Sequence, residues 1–196
     1  MALSKVDGTN FIDPTIPLAS GGIGSTSLAG AGIATTNGIT EYDVFKLTAE
    51  FSGTAAPIAS NLSREDDSGF EKIGTGMTES SGIFTFPSTG KWLVTYFCVV
   101  RNVATGGERN AEFPIQITLN DSSYVVGSKG SINVSYLYSS ANNLQAASCA
   151  FLFDVTDTSN CKVRFVFEPN GSASTVCAGH ATETQTSMHF ARIGDT

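Results

Sequence analysis

The residue types that most often carry out chemistry are sparse in this sequence. The chain has two histidines and four cysteines, which are His180, His189, Cys98, Cys149, Cys161 and Cys177. His189 lies between Met188 and Phe190 in a segment with the composition of a strand, which favours a structural or exposed histidine over a catalytic base. No nucleophile motif, phosphate-binding loop or dinucleotide-binding loop occurs. We therefore predict that the chain is not an enzyme and has no catalytic residues.

Metal-ligating patterns are equally weak. The cysteines show no C-x-x-C spacing and cannot form a compact Cys/His site with the histidines, so buried free thiols are predicted, with a disulfide or a zinc site as alternatives. Ser63–Asp67 offers the carboxylates of Glu65, Asp66 and Asp67 to calcium, but it lacks the spacing of a calcium-binding loop. A solvated charged loop is the preferred interpretation. The sequence thus predicts neither a metal nor a cofactor.

The charge balance excludes several classes of partner. Charged residues make up 15% of the 196 residues and the net charge is −7, so the basic footprint of a nucleic-acid-binding protein is missing. No apolar run approaches about 18 residues, which argues against insertion into a membrane. The first residues lack the apolar core of a signal peptide, so we expect a soluble protein made in a cytoplasm.

The elements that would position any site fall into two zones. Residues 1–40 contain one aromatic residue, Phe11, and seven of the 20 glycines, whereas residues 41–196 contain the other 18 aromatic residues. A segment so poor in large apolar groups cannot bury enough surface to fold alone. We predict an extended N-terminal arm over residues 1–40, with a flexible tether as the alternative, and one folded domain over residues 41–196.

The predicted arm has isolated apolar residues that would anchor it to a partner. Leu18, Ile23, Leu28 and Ile33 recur every five residues, a spacing that fits neither a helix nor a strand. Pro14 favours an extended start. The full set of predicted anchor residues is Phe11, Ile12, Ile16, Leu18, Ile23, Leu28 and Ile33.

The second zone shows the period-two alternation of half-buried strands. One face of each strand is apolar, as in the series Phe113, Ile115, Ile117 and Leu119. The same alternation occurs in the segments 44–51, 84–86, 132–138, 149–155 and 163–167. Turn dipeptides separate these runs at regular intervals. About eight to ten strands over roughly 150 residues are typical of a β-sandwich or jelly roll.

The segment Trp92–Val100 departs from this alternation. It is apolar on both faces apart from Thr95. A strand of this kind is covered on both sides, either because it is central or because it lies at a subunit contact.

Two adjoining motifs carry a resemblance to a known fold. GIFTFP at residues 82–87 and GKWLVTY at residues 90–96 resemble two consecutive strands of the globular head of complement component q and of the tumour necrosis factor superfamily. The resemblance covers about residues 41–196, and the segments 117–121, 153–165 and 188–193 are compatible with it. The resemblance implies an all-β, ten-stranded antiparallel jelly roll that forms a homotrimer with an apolar threefold interface. The residues assigned to that trimer interface or to the core are Trp92, Val94, Tyr96, Phe97 and Phe190.

A second resemblance concerns the arm. ASGGIGSTSL at residues 19–28 resembles a string found near the start of fibre and decoration proteins of tailed bacteriophages, which usually have Thr where this chain has Ile23. It implies a virion protein assembled in the host cytoplasm, with a trimeric head anchored by residues 1–40 to capsid or tail proteins. Such a head would stabilise the particle or contact a glycan or receptor on the host surface.

A binding module is the alternative from a different class. Jelly rolls include many lectins, and Trp92, Tyr124, Tyr136 and Tyr138 could stack on sugars, although core packing is the simpler explanation for Trp92. A host receptor-binding adhesin is the related alternative. A polysaccharide depolymerase is less well supported, because no pair of catalytic carboxylates can be identified from the sequence.

Overall fold

The computed structural model of the chain describes residues 38–102, 109–134, 143–170 and 175–196, and its regular elements in that part are all β-strands. Thirteen strands lie within these residues. Their bounds are β1 Glu41–Leu47, β2 Phe51–Ser52, β3 Leu62–Arg64, β4 Thr78–Ser80, β5 Ile83–Thr85, β6 Gly90–Asn102, β7 Arg109–Thr118, β8 Val125–Val134, β9 Asn143–Val155, β10 Lys162–Phe165, β11 Glu168–Asn170, β12 Thr175–Cys177 and β13 Ser187–Gly194.

The strands form two antiparallel sheets that pack face to face. The front sheet has seven strands in the order β2-β12-β6-β13-β1-β3, with β9 on the other edge of β6. The back sheet has six strands in the order β11-β7-β10-β5-β4, with β8 on the other edge of β7. The long strands β6 and β7 therefore each pair with three other strands and lie in the interior of their sheets. This is the all-β jelly-roll sandwich that the strand pattern predicts.

The compact unit formed by these strands spans Ile39–Thr196. None of the described residues belongs to a helix long and apolar enough to cross a bilayer. The anchor residues predicted between Phe11 and Ile33 lie outside the described part of the chain, and so does the predicted arm, apart from its last residues.

The core lies between the sheets and is built from the apolar faces that the alternation predicts. Phe84 is fully buried and contacts Phe45, Phe165 and Phe190, with ring centroids 5.1, 5.4 and 5.1 Å away. The front sheet supplies Phe45 and Phe190, and the back sheet supplies Phe84 and Phe165. The contacts of Phe84 with Phe45 and Phe165 are edge-to-face, and such packing adds to the free energy gained by burying the rings themselves.

The turn between β4 and β5 shows why one glycine is required. Ser81 and Gly82 have φ of +53° and +81°, which matches a two-residue hairpin turn with both central residues in the left-handed region. A Cβ atom on Gly82 would lie 2.3 Å from the carbonyl oxygen of Ile58. Glycine therefore satisfies both the backbone conformation and the close approach of the neighbouring chain.

Two details of the predicted strand pattern are wrong. Leu119 was expected to continue the buried series of β7, but the strand ends at Thr118 and Leu119 is 64% exposed. The turn that follows, with Asp121 at φ +55°, removes Leu119 from the pleat. The alternation over residues 44–51 also predicts that Lys46 lies on the polar outer face of β1, but Lys46 is buried because the loop after β3 covers it.

An ion pair between the buried Asp43 and the partly exposed Arg64 fastens a loop to the edge of the front sheet. Asp43 on β1 is 1% exposed and accepts hydrogen bonds from Arg64 Nε at 2.9 Å and from the backbone N–H of Met77 at 2.7 Å. Arg64 also donates to the carbonyl oxygen of Met77 at 2.6 Å, and its guanidinium lies over the Phe45 ring. Asp43 thereby joins β1, β3 and the loop before β4.

Candidate functional site

The most unusual surface of the described chain is the outer face of β6. The inward side chains Trp92, Val94 and Tyr96 are at most 1% exposed. The side chains between them point outward, and Leu93 and Phe97 are 40% and 41% exposed. Both faces of this strand are thus apolar, but only one of them packs against the back sheet.

The neighbouring strand β9 extends this apolar surface. Its register pairs Leu93 with Leu152, Thr95 with Ala150, Phe97 with Ser148, Val99 with Ala146 and Arg101 with Leu144. Leu144 and Leu152 are 54% and 53% exposed. We call this surface the β6–β9 outer face, and it consists of Leu93, Thr95, Phe97, Val99, Leu144, Ala146, Ser148, Ala150 and Leu152.

Two grooves lie on this side of the front sheet, the first against the β6–β9 outer face and the second farther out, between β13, β1 and the loop after β3. The first has a volume of about 440 Å³, and its lining includes Phe97, Ala147 and Ser187. The second has a volume of about 310 Å³, and its lining includes Tyr42 and Phe70. The two residues that line both grooves are Thr184 and His189. His189 therefore lies on the ridge between them.

His189 is held in place from three sides. Its Nδ1 atom lies 2.9 Å from the Tyr42 hydroxyl, and its Nε2 atom lies 3.0 Å from the Ser187 hydroxyl. The Phe97 ring packs edge-on against the imidazole at a centroid distance of 4.8 Å. Burial lowers the pKa of His189 below its ordinary value of 6.5, although the charge of Glu65 opposes that shift.

The acidic segment considered as a calcium ligand surrounds a lysine. Lys46 Nζ lies 2.9 Å from Glu65 Oε1, 3.1 Å from Asp67 Oδ1 and 3.4 Å from Asp66 Oδ1. The three carboxylates are close enough to hold a cation together. The ammonium group of Lys46 provides that cation from within the chain.

Glu65 is the central acceptor of this cluster. Burial by itself would raise its pKa, but hydrogen bonds from Thr184, Lys46 and the backbone of Asp67 outweigh burial and lower the pKa from 4.5 to about 2. The hydrogen bonds of Lys46 to Glu65 and then to Asp67 raise the pKa of Lys46, although burial opposes that shift. The interpretation of this segment as a solvated loop is wrong for Glu65, which is 8% exposed because it pairs with the buried Lys46.

The cysteines are free thiols, as predicted. Cys98, Cys161 and Cys177 are buried, and Cys149 is half-buried with its thiol 3.4 Å from the carbonyl oxygen of Phe113. A hydrogen bond with Cys177, together with burial, raises the pKa of Cys98. A thiol held in its protonated form is a poor nucleophile and a poor metal ligand.

The residues assigned to the trimer interface or the core separate into two groups. Trp92, Val94, Tyr96 and Phe190 are all buried between the sheets, whereas Phe97 lies on the β6–β9 outer face. Sequence reasoning did not separate them because both faces of β6 are apolar. It also missed Leu144 and Leu152, which share the outward face of β9 with the small residues Ala146, Ser148 and Ala150. The period-two pattern over residues 144–152 is the signal that could have identified them.

The two aromatic residues considered for sugar stacking that the structure describes, Trp92 and Tyr124, are not displayed as a platform. Trp92 is 1% exposed, and its Nε1 atom donates to the carbonyl oxygen of Ser88 at 3.2 Å. The guanidinium of Arg164 covers one face of the Tyr124 ring at 4.0 Å. Tyr136 and Tyr138 lie outside the described residues.

Comparison with known proteins identifies the fold. No family model and no curated protein matches the chain. Among solved structures, the chain is similar to Eiger TNF from S. frugiperda, with a TM-score of 0.57 and 10% sequence identity over 81% of this chain and 96% of that chain. At this identity the similarity concerns the fold alone. The chain thus has a TNF-like jelly-roll fold, and the resemblance of residues 82–96 to that superfamily is confirmed at the level of fold.

Proposed function

We propose that this protein is a non-catalytic structural head that assembles into a homotrimer through the β6–β9 outer face. The observation that carries the proposal is the second apolar face of β6, where Leu93 and Phe97 project from a strand whose other face already fills the core. Leu144 and Leu152 extend the same surface on β9. Subunit contact is the ordinary reason for a continuous apolar face on a folded domain.

The occupant of this face is a second copy of the chain. The face is free of charge along its length, since its residues are aliphatic, aromatic or small, and charged residues lie only at its two ends, Arg101 at one and the Lys91–Asp154 pair at the other. A neighbour with the same surface would match it without leaving charges unpaired. The trimeric stoichiometry is taken from the TNF-like resemblance, which associates this fold with threefold assembly.

The proposal extends to the place of the trimer in a larger particle. We propose a bacteriophage virion surface protein in which residues 1–40 attach the head to capsid or tail proteins. The head would then stabilise the particle or contact the host surface. The phage part is supported by the resemblance of residues 19–28 to the start of phage fibre and decoration proteins, and by the apolar residues spaced along the arm.

Substitution of Phe97 tests the interface. Phe97→Asp places a carboxylate from each subunit on the proposed contact, so the association constant should fall by at least about 100-fold. The subunit should still fold, because Phe97 is 41% exposed and outside the core. Sedimentation velocity measures the assembly, and far-ultraviolet circular dichroism measures the fold.

Leu119→Asp is the matched control for this substitution. Leu119 is 64% exposed and follows β7 in the back sheet, so an acid there should leave the trimer intact. Equal dissociation of both variants would indicate a general effect of charge. A parent protein that sediments as a monomer at micromolar concentration would contradict the proposed trimer.

Truncation tests the attachment. Deleting residues 1–37 leaves the unit Ile39–Thr196 intact, so a trimer should still form. Particles assembled with the truncated chain should lack this protein in gradient-purified fractions, because the attachment segment is missing. Incorporation at the level of the full chain would refute the role given to residues 1–40, while the interface proposal would stand.

A further inference from the structure

His189 is placed to respond to pH at the surface proposed for trimer assembly. Its imidazole forms the ridge between the two grooves and contacts the ring of Phe97, the central aromatic residue of the β6–β9 outer face. A neighbouring subunit that covers Phe97 would also cover His189. Burying a charged imidazole beneath that neighbour would cost free energy, so protonation of His189 would oppose assembly.

Both imidazole nitrogens already have neutral partners within the subunit. The Tyr42 and Ser187 hydroxyls can each donate or accept, so a neutral His189 is satisfied by one donated and one accepted hydrogen bond. A protonated His189 would donate from both nitrogens to the same hydroxyls. Neither hydroxyl neutralises the added positive charge.

The charged groups around His189 are already engaged with one another. Tyr42 approaches it from β1, and Glu65 and Asp67 approach it from the loop after β3. Among the described residues, β6 and the 184–185 segment present only uncharged groups to it. Glu65 accepts hydrogen bonds from Lys46 and Thr184. The carboxylate that could compensate an imidazolium is thus committed to the lysine.

We propose that protonation of His189 dissociates the trimer as the pH falls from about 7.5 to about 5.5. This inference rests on the proposed function, because it concerns the regulation of the same interface. A subunit would assemble with His189 neutral and release its neighbours when the three imidazoles become charged. The partner in this equilibrium is a second copy of the chain, and the signal is the proton.

The direction follows from linkage between protonation and assembly. Burial lowers the pKa of His189 in the folded subunit, and covering by a neighbour would lower it further. The dissociated state therefore binds more protons, so assembly is strongest above the ordinary pKa of 6.5 and weakens as the pH falls below it. With three histidines per trimer, the association constant falls by up to about a thousandfold per pH unit.

The test compares the full-length parent with two histidine variants by sedimentation velocity across this pH range. His180 and His189 are the only histidines of the chain, and His180 is an exposed residue whose Nδ1 accepts from the backbone N–H of Thr182. His180→Gln should keep the pH dependence of the parent. His189→Gln should have an association constant that no longer changes between about pH 7.5 and about pH 5.5, whatever its value.

A second measurement covers the case in which His189→Gln does not assemble. In the His180→Gln variant the single remaining imidazole can be followed by proton NMR, and its titration must coincide with the loss of trimer. A parent that stays trimeric throughout, or a histidine that titrates without dissociation, overturns the switch but leaves the trimer intact. A parent that is monomeric at neutral pH overturns both.

Discussion

Asp43→Asn should lower the free energy of unfolding by about 3 kcal/mol, although the two side chains have the same shape. Asp43 is buried and accepts hydrogen bonds from the Arg64 guanidinium and from the backbone N–H groups of Val44 and Met77. An amide lacks the charge that pairs with Arg64, and its NH₂ group would face N–H donors. Urea unfolding at a fixed subunit concentration measures the loss, because assembly contributes to apparent stability.

Glu112→Gln is the control for this prediction. Glu112 pairs with Lys129 at 2.8 Å, but the two side chains are 36% and 45% exposed. Exposed pairs of this kind contribute little, so the change should remain within about 0.5 kcal/mol. If both variants unfolded at the same denaturant concentration as the parent, the loop before β4 would not depend on Asp43.

The sequence was most informative where one face of a strand is apolar and the other polar. The alternation of Phe84 with Thr85, and of Val163 with Arg164, specified both the strand and its buried side. Burial of the apolar face decides the orientation of such strands, so no tertiary information is needed. Short strands such as β2 and β11 carry too few residues to show a period.

The candidate site was less predictable because its partners are distant in sequence. His189 meets Tyr42 across 147 positions, and this contact depends on the pairing of β13 with β1. Lys46 meets Glu65 because β1 pairs with β3, which brings the loop after β3 over the lysine. Composition and spacing do not specify which strands pair. These contacts can therefore be identified only once the strand order of the sheet is known. Which side of β6 faces outward was ambiguous for a different reason, because both faces of this strand are mostly apolar.

Phe84→Ala is expected to have the other large effect, a loss of about 3–5 kcal/mol in the free energy of unfolding. Phe84 is fully buried and contacts rings from both sheets, with Phe45 and Phe190 from the front and Phe165 from the back. Truncation therefore removes buried apolar area and opens a cavity that neighbouring strands cannot close without breaking their register.

Leu119→Ala provides the comparison, because Leu119 is 64% exposed and its truncation should cost less than about 0.5 kcal/mol. Phe97→Ala adds a third case, because the Phe97 ring lies on the outward side of β6 and outside the core. It should weaken assembly measured by sedimentation more than it lowers the stability of the subunit. Equal unfolding losses for Phe84→Ala and Phe97→Ala, measured at a dilution where the subunits are dissociated, would mean that β6 is covered on both faces within one subunit. The case for a subunit interface would then fail, because that case requires the outward face of β6 to be open until a neighbour binds.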